Sequence, residues 1–89
     1  MLASSEATMT LPEGVALHAR PAALFVRTAM RFHSKIVVAA NGREADAKSI
    51  LSVLGLGATA GTVLIVRADG DDAAAALDAL AECLAGVVE

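Results

Sequence analysis

The chain has 89 residues, a hydrophobic fraction of 56% and a net charge of -3 at pH 7. This length predicts one domain, spanning residues 1–89, with a single apolar core. The negative charge and the aromatic fraction of 2% argue against nucleic-acid binding, which uses basic surfaces and stacking rings. Because the single cysteine, Cys83, permits no internal disulfide and no segment is long and apolar enough to span a bilayer, we expect a cytoplasmic protein without membrane insertion. We also expect it to be a monomer.

The first half of the chain predicts a strand, a helix and a hairpin. A strand over residues 6–11 ends at the loop of residues 12–14. Apolar residues recur at three- and four-residue steps from residue 19 to residue 33, which predicts a helix that buries Phe25, Ala29 and Phe32 and ends near His33. Asn41-Gly42 then predicts a two-residue type I′ turn between two short strands.

The second half predicts a short helix, a strand and a longer helix. The short helix covers residues 49–54, and a β-branched strand covers residues 62–68 and ends at Gly70. Asp71 or Asp72 is expected to cap the last helix. The inward stripe of this helix is expected to be Leu77, Leu80, Ala81 and Leu84, with Asp78 and Glu82 facing water. The order βαββαβα suits a four-stranded antiparallel sheet with three helices on one face and the other face open to solvent.

Residues 17–23 (LHARPAA) place His18 where a loop becomes the first helix. Pro21 in the first turn loses no hydrogen bond and helps to fix the start of the helix just after His18. Free backbone amides, the positive end of the helix dipole and the Arg20 guanidinium then form an anion site beside the imidazole. Neutral imidazole is a nucleophile near pH 7, so the pattern suits reversible phosphoryl transfer. The same residues also fit a histidine that only caps a helix or lies on a solvated surface.

Residues 17–23 resemble the active-site signature of the HPr family, the histidine-containing phosphocarriers of the bacterial phosphoenolpyruvate:sugar phosphotransferase system. Residues 47–58 (AKSILSVLGLGA) resemble the family's second signature, and the resemblance covers essentially the whole chain. It implies an α+β fold, the open-faced β-sandwich. One departure is Ala16, where the family commonly has glycine. Either Ala16 is strained or the turn has moved back to Gly14.

This resemblance implies the roles of the two residues at the helix start. His18 would accept a phosphoryl group on Nδ1 from phospho-Enzyme I and pass it to the A component of a sugar-specific Enzyme II. Arg20 would stabilise the phosphoryl group in transit. The protein would then be a phosphoryl carrier and not an enzyme, with no cofactor and no metal.

Ser49 and the helix that follows it carry a second set of predicted roles. Ser49 matches the family's regulatory serine, which a dedicated ATP-dependent kinase phosphorylates in some bacteria. Serine at this position is also an ordinary helix N-cap. The spacing of Ile50, Leu51 and Leu54 would ordinarily place them in the core. The resemblance instead places some of them in an exposed apolar patch that docks on Enzyme I and Enzyme II.

The partner-binding surface is also expected to include part of the first helix. Ala19 and Ala23 lie beside His18 on that helix. Arg20, Arg27 and Arg31 fall close together on it and form a basic stripe. We expect this stripe to steer His18 toward acidic partner surfaces. The alternative is a set of ordinary solvated arginines, with Arg31 complementing the helix C-terminus.

Other functions have less support from the sequence. The glycines at 55, 57 and 61 precede a strand and form no nucleotide-binding fingerprint, and the two histidines with Cys83 have no metal-ligand spacing. The alternative function is a regulatory interaction module of the same fold that acts through Ser49 phosphorylation. A more distant alternative is a ferredoxin-like ligand-binding domain in which His18 is incidental. The presence of both His18 and Arg20 favours the carrier.

Overall fold

The structure is a computed structural model that describes residues 4–12 and 19–86. The elements are β1 (Ser4–Thr10), α1 (Ala19–Met30), β2 (Lys35–Ala40), β3 (Arg43–Asp46), α2 (Ile50–Leu54), β4 (Val63–Asp69) and α3 (Ala73–Ala85). All strand pairs are antiparallel, and the sheet order is β1-β4-β2-β3. The helices cover one face of this sheet, which confirms the predicted α+β open-faced β-sandwich.

The two faces of the sheet differ because side chains alternate along each strand. In β4, Leu64, Val66 and Ala68 are fully buried under the helices, whereas Val63 and Ile65 remain 49% and 44% exposed on the open face. Because the apolar run of this strand is continuous, the sequence alone did not show which of its two faces is buried. The pairing of β4 with β1 and β2 sets which of its side chains face the helices. The helices contribute core residues that include Phe25 and Leu80.

The β2–β3 hairpin forms as the sequence predicts. Asn41 and Gly42 both have positive φ, 54° and 75°, and the flanking residues Ala40 and Arg43 pair across the turn. These are the dihedral signs that a two-residue type I′ turn requires. The turn therefore sets the register of β2 against β3.

The end of α1 differs from the prediction. The helix ends at Met30 and does not continue to His33. The Arg31 amide donates to the Thr28 carbonyl, so the chain tightens into a three-residue turn at this point. Phe32 lies beyond the helix but still packs, partly buried, against the core. The expectation that His33 ends the helix is therefore wrong.

The Asp72 side chain binds the segment that follows α1. Its carboxylate accepts hydrogen bonds from the N–H of His33 at 2.8 Å and from the N–H of Ser34 at 2.9 Å. It also accepts a short bond from the Ser34 hydroxyl, which is buried. Although Asp72 occupies the N-cap position of α3, its side chain makes no capping bond there, so the predicted side-chain cap is wrong. The carboxylate instead links α3 to the end of α1.

These bonds make Asp72 a source of acid sensitivity. The Ser34 hydroxyl, followed by the His33 amide, lowers the Asp72 pKa from 3.8 to about 2. Because the pKa of the folded protein lies below that of the unfolded chain, the stabilisation is complete above about pH 4 and is lost as the pH falls to about 2. Asp72→Asn should therefore lower the melting temperature at neutral pH but change it little near pH 2.

Melting curves followed by circular dichroism across this pH range test the prediction. The matched control is Asp71→Asn, which changes the adjacent and exposed carboxylate. Equal losses of melting temperature for Asp72→Asn at neutral pH and near pH 2 would contradict the assignment.

The last helix buries a slightly different stripe from the one predicted. Its buried residues are Ala73, Ala76, Leu77, Leu80 and Leu84. Ala81 is exposed, because it lies at the margin of this stripe where its short side chain is not covered, so that prediction is wrong. Asp78 and Glu82 are exposed as expected. Within the described ranges no helix is long and apolar enough to cross a membrane.

Candidate functional site

The described part of the predicted site begins at Ala19, because His18 lies outside the described residues together with Gly14 and Ala16. Ala19 is the first residue of α1, so the helix begins where the sequence predicts, directly after His18. Ala19 and Arg20 are exposed, whereas Pro21 is buried. The start of α1 therefore lies at the surface, next to the residue that carries the predicted chemistry.

The first turn of α1 has the donors that an anion site needs. The first four amides of any helix lack carbonyl partners within the helix, and proline has no amide proton at all. Pro21 therefore contributes no donor, and the amides of Ala19 and Arg20 are the backbone donors that directly follow His18 in the sequence. The Arg20 side chain adds a positive charge at the same end of the helix.

Ser49 is the N-cap of α2. Its φ and ψ angles are -115° and 112°, and its Oγ accepts a hydrogen bond from the Ser52 amide at 3.4 Å. The Ser49 carbonyl accepts the first helical bond, from the Val53 amide at 3.0 Å. The structural role predicted for Ser49 is thus confirmed.

Helix α2 presents its apolar side chains in two directions. Val53 is fully buried, and Leu54 is partly buried against the core. Leu51 is 80% exposed and Ile50 is 37% exposed. Since a helix of five residues is less than two turns long and covers little surface, only one side of it can reach the core. Leu54 therefore does not share the exposure of Ile50 and Leu51.

The exposed side of α1 carries both arginines and apolar residues. Arg20 and Arg27 are exposed within the helix, and Arg31 is exposed just beyond its end. Leu24, at 40% exposure, stands four residues after Arg20 and three before Arg27, so the three side chains follow one helical stripe. The sequence prediction missed Leu24, although this spacing could have identified it. Ala23, which was predicted to contact partners, is only partly exposed.

Helices α1 and α2 pack against each other, which places the basic stripe and the exposed residues of α2 on neighbouring elements. Lys48, which precedes α2, also joins the segments beside the two helices, because its Nζ donates to the Phe32 carbonyl just after α1 at 2.7 Å. Across residues 4–12 and 19–86, no three side chains of His, Cys, Asp or Glu are grouped to hold a metal ion. The candidate site is thus an open surface formed by two helices.

Known proteins of one kind match this chain over most of its length. A family model described as "PTS HPr component phosphorylation site" matches residues 4–86. The "Phosphocarrier protein HPr" of Xylella fastidiosa strain Temecula1 is 43% identical over 77 residues, which cover 86% of each chain. A crystal structure of HPr-C-His from Thermoanaerobacter tengcongensis matches with a TM-score of 0.86 at 41% identity, over 91% of both chains. A phosphocarrier protein HPr from Bacillus anthracis matches with a TM-score of 0.87 at 36% identity, over 92% of this chain and 98% of that one.

Proposed function

Because this chain belongs to the HPr family of phosphocarriers of the phosphotransferase system, we propose that His18 is the residue that carries its phosphoryl group. The observation that carries the proposal is the position of His18, immediately before the exposed start of α1 and followed by Arg20 and Pro21. HPr proteins are carriers and not enzymes in the usual sense. We propose Enzyme I as the donor and the A component of a sugar-specific Enzyme II as the acceptor, with this chain acting as a cytoplasmic monomer of one domain.

The transfer is a displacement at phosphorus. The Nδ1 lone pair of neutral His18 attacks the phosphoryl group of phospho-Enzyme I, a new N–P bond forms, and the bond to the donor atom of Enzyme I breaks. Arg20 and the amides of Ala19 and Arg20 offset the negative charge on the phosphoryl oxygens. The same contacts offset this charge again when the phosphoryl group leaves His18 for Enzyme II.

An exposed site suits a group that must pass between proteins. Ala19 has a small side chain, which lets a partner approach the histidine closely. Ile50 and Leu51 expose apolar surface on the adjacent helix, and a small apolar surface of this kind supports a transient complex. We propose that the partner-binding surface consists of Ala19, Ala23, Arg27, Ile50, Leu51 and the accessible part of Leu54.

Ser49 is proposed as a second, regulatory phosphorylation site. Ser49 is partly exposed at the start of α2, next to the proposed partner-binding surface. A phosphate on Ser49 would add about two negative charges beside Ile50 and would repel an acidic partner. The alternative in which the chain acts only through Ser49 has less support, because the chain retains both His18 and Arg20.

Phosphorylation by Enzyme I with radiolabelled phosphoenolpyruvate tests the proposed function. We expect one phosphoryl group per chain, labile in acid and stable in base, because protonation makes the imidazole of a phosphohistidine a good leaving group. Phosphoserine has the opposite stability. The label should then move to the A component of an Enzyme II when that protein is added. A chain that takes no label, or takes an acid-stable label, would refute the proposal.

Charge reversal at Arg27 tests the role of the basic stripe. Arg27→Glu should slow phosphoryl transfer from phospho-Enzyme I by roughly tenfold at low salt and should reduce the salt dependence of the rate, because electrostatic steering acts on association. The matched control is Arg67→Glu, which makes the same charge change on the open face of the sheet. Equal rates for the two variants would show that the stripe does not steer partners.

A further inference from the structure

The C-terminal side of α2 is bound by two side chains of the β2–β3 hairpin. Asn41 Nδ2 donates to the Leu56 carbonyl at 3.1 Å, and Arg43 Nη1 donates to the Gly55 carbonyl at 3.1 Å. A second Asn41 contact, to the Gly57 carbonyl, is 3.5 Å long. We call Asn41 and Arg43 the hairpin clamp. It joins two segments that are 12 to 16 residues apart in the chain.

The clamp continues the hydrogen bonding of the helix itself. The amides of Gly55, Leu56 and Gly57 already satisfy the carbonyls of Leu51, Val53 and Leu54, respectively. The next carbonyls along the chain are those of Gly55 and Leu56, and these two accept the hydrogen bonds of the clamp. Carbonyls at a helix C-terminus attract positive charge, so an arginine is favourable at this position.

Helix α2 depends on such contacts because it is short. It has five residues, and an isolated helix of that length is not stable in water. Val53 is its only fully buried residue. On the N-terminal side, the bond from Lys48 to the Phe32 carbonyl ties the chain to the end of α1. The helix is therefore held between α1 and the hairpin.

The turn alone does not require the Asn41 side chain. Asn41 has φ 54°, a conformation that glycine adopts at least as easily. The bond to the Leu56 carbonyl, by contrast, needs the amide group of asparagine. Asn41 thus contributes to the position of α2 beyond its part in the turn.

We propose that Asn41 and Arg43 are positioning residues, which hold α2 so that Ile50 and Leu51 present one fixed apolar surface to the proteins that exchange a phosphoryl group with His18. This inference rests on the proposed function. The clamp acts through α2 and not on the phosphoryl group, so it sets the affinity of the encounter and leaves the displacement at phosphorus unchanged. A loosened α2 would have to be ordered again in each complex, which weakens binding.

The test compares phosphoryl transfer from phospho-Enzyme I to the wild-type chain and to clamp variants over a range of their concentrations. Asn41→Gly removes the amide donor but keeps the turn, and Arg43→Met removes the guanidinium but keeps a long side chain. Each should raise KM by roughly three- to tenfold and leave kcat within about twofold. Arg43→Lys keeps a donor and should recover much of the affinity. Arg67→Met, which removes an arginine from the open sheet face, should behave as the wild type.

Hydrogen exchange of the α2 amides separates positioning from stability. In the clamp variants these amides should exchange faster while the melting temperature shows that the chain is folded at the assay temperature. Faster exchange with an unchanged KM would overturn the inference, as would a fall in kcat alone. If the wild-type chain takes no phosphoryl group, both the proposed function and this inference are refuted. Normal transfer by every variant would refute the inference alone.

Discussion

His18→Ala is expected to lose acid-labile labelling by Enzyme I and phosphoenolpyruvate, with transfer reduced by at least about a thousandfold. The reason is that alanine offers no lone pair for attack on phosphorus, and the remaining anion site can bind phosphate but cannot hold it covalently. Labelling is measured after denaturing electrophoresis under basic conditions, which preserve an N–P bond.

The second histidine of the chain provides the matched control. His33 follows α1, and its backbone amide donates a hydrogen bond to Asp72, which alanine retains. His33→Ala should therefore be labelled like the wild type. Label retained in His18→Ala and lost in His33→Ala would reassign the site, and label retained in both single variants would refute His18 as the sole acceptor.

Gly70→Ala is expected to destabilise the folded chain by about 2–5 kcal/mol, from backbone strain and from overpacking. Gly70 has φ +151°, a backbone angle that residues with a side chain rarely adopt. A Cβ there would lie 2.5 Å from Ser34 Oγ and 2.8 Å from Ser34 Cα. Ser34 cannot move away easily, because Asp72 holds both its amide and its hydroxyl. The added methyl group therefore meets a part of the chain that is fixed.

Gly42→Ala separates the two causes of this loss. Gly42 also has positive φ, +75°, but a Cβ there would have no atom within 4 Å. It should cost only the backbone strain, about 1–2 kcal/mol. Urea unfolding measures both variants against the wild type. A loss at Gly70 no greater than that at Gly42 would show that the close approach to Ser34 is relieved at little cost.

Local sequence patterns predicted most of the order of helices and strands. The three- and four-residue steps of apolar residues placed α1 and α3, and the β-branched run placed β4. Asn41-Gly42 placed the hairpin turn, because few other residue pairs adopt two positive φ angles. These features depend on neighbours within one or two turns of the chain, which is why they can be read without the fold.

Some features of the candidate site could be predicted from the local sequence and others could not. The start of α1 after His18 follows from the local sequence, and so does the N-cap role of Ser49. Spacing alone would have buried Ile50 and Leu51, and the family resemblance indicated that some of this group is exposed. Leu51 is exposed because α2 has only five residues and packs on the core through Val53, and this depends on where the helix lies in the fold.

The sequence by itself determined the element order, the hairpin turn and the helix start after His18, because each follows from short-range periodicity or turn chemistry. Only the tertiary structure decided where α1 ends, what Asp72 binds and what holds α2. Asp72 bonds to residues 38 and 39 positions away, and the hairpin clamp reaches 12 to 16 positions along the chain. Such pairs form only after strands and helices have packed, so no local pattern encodes them.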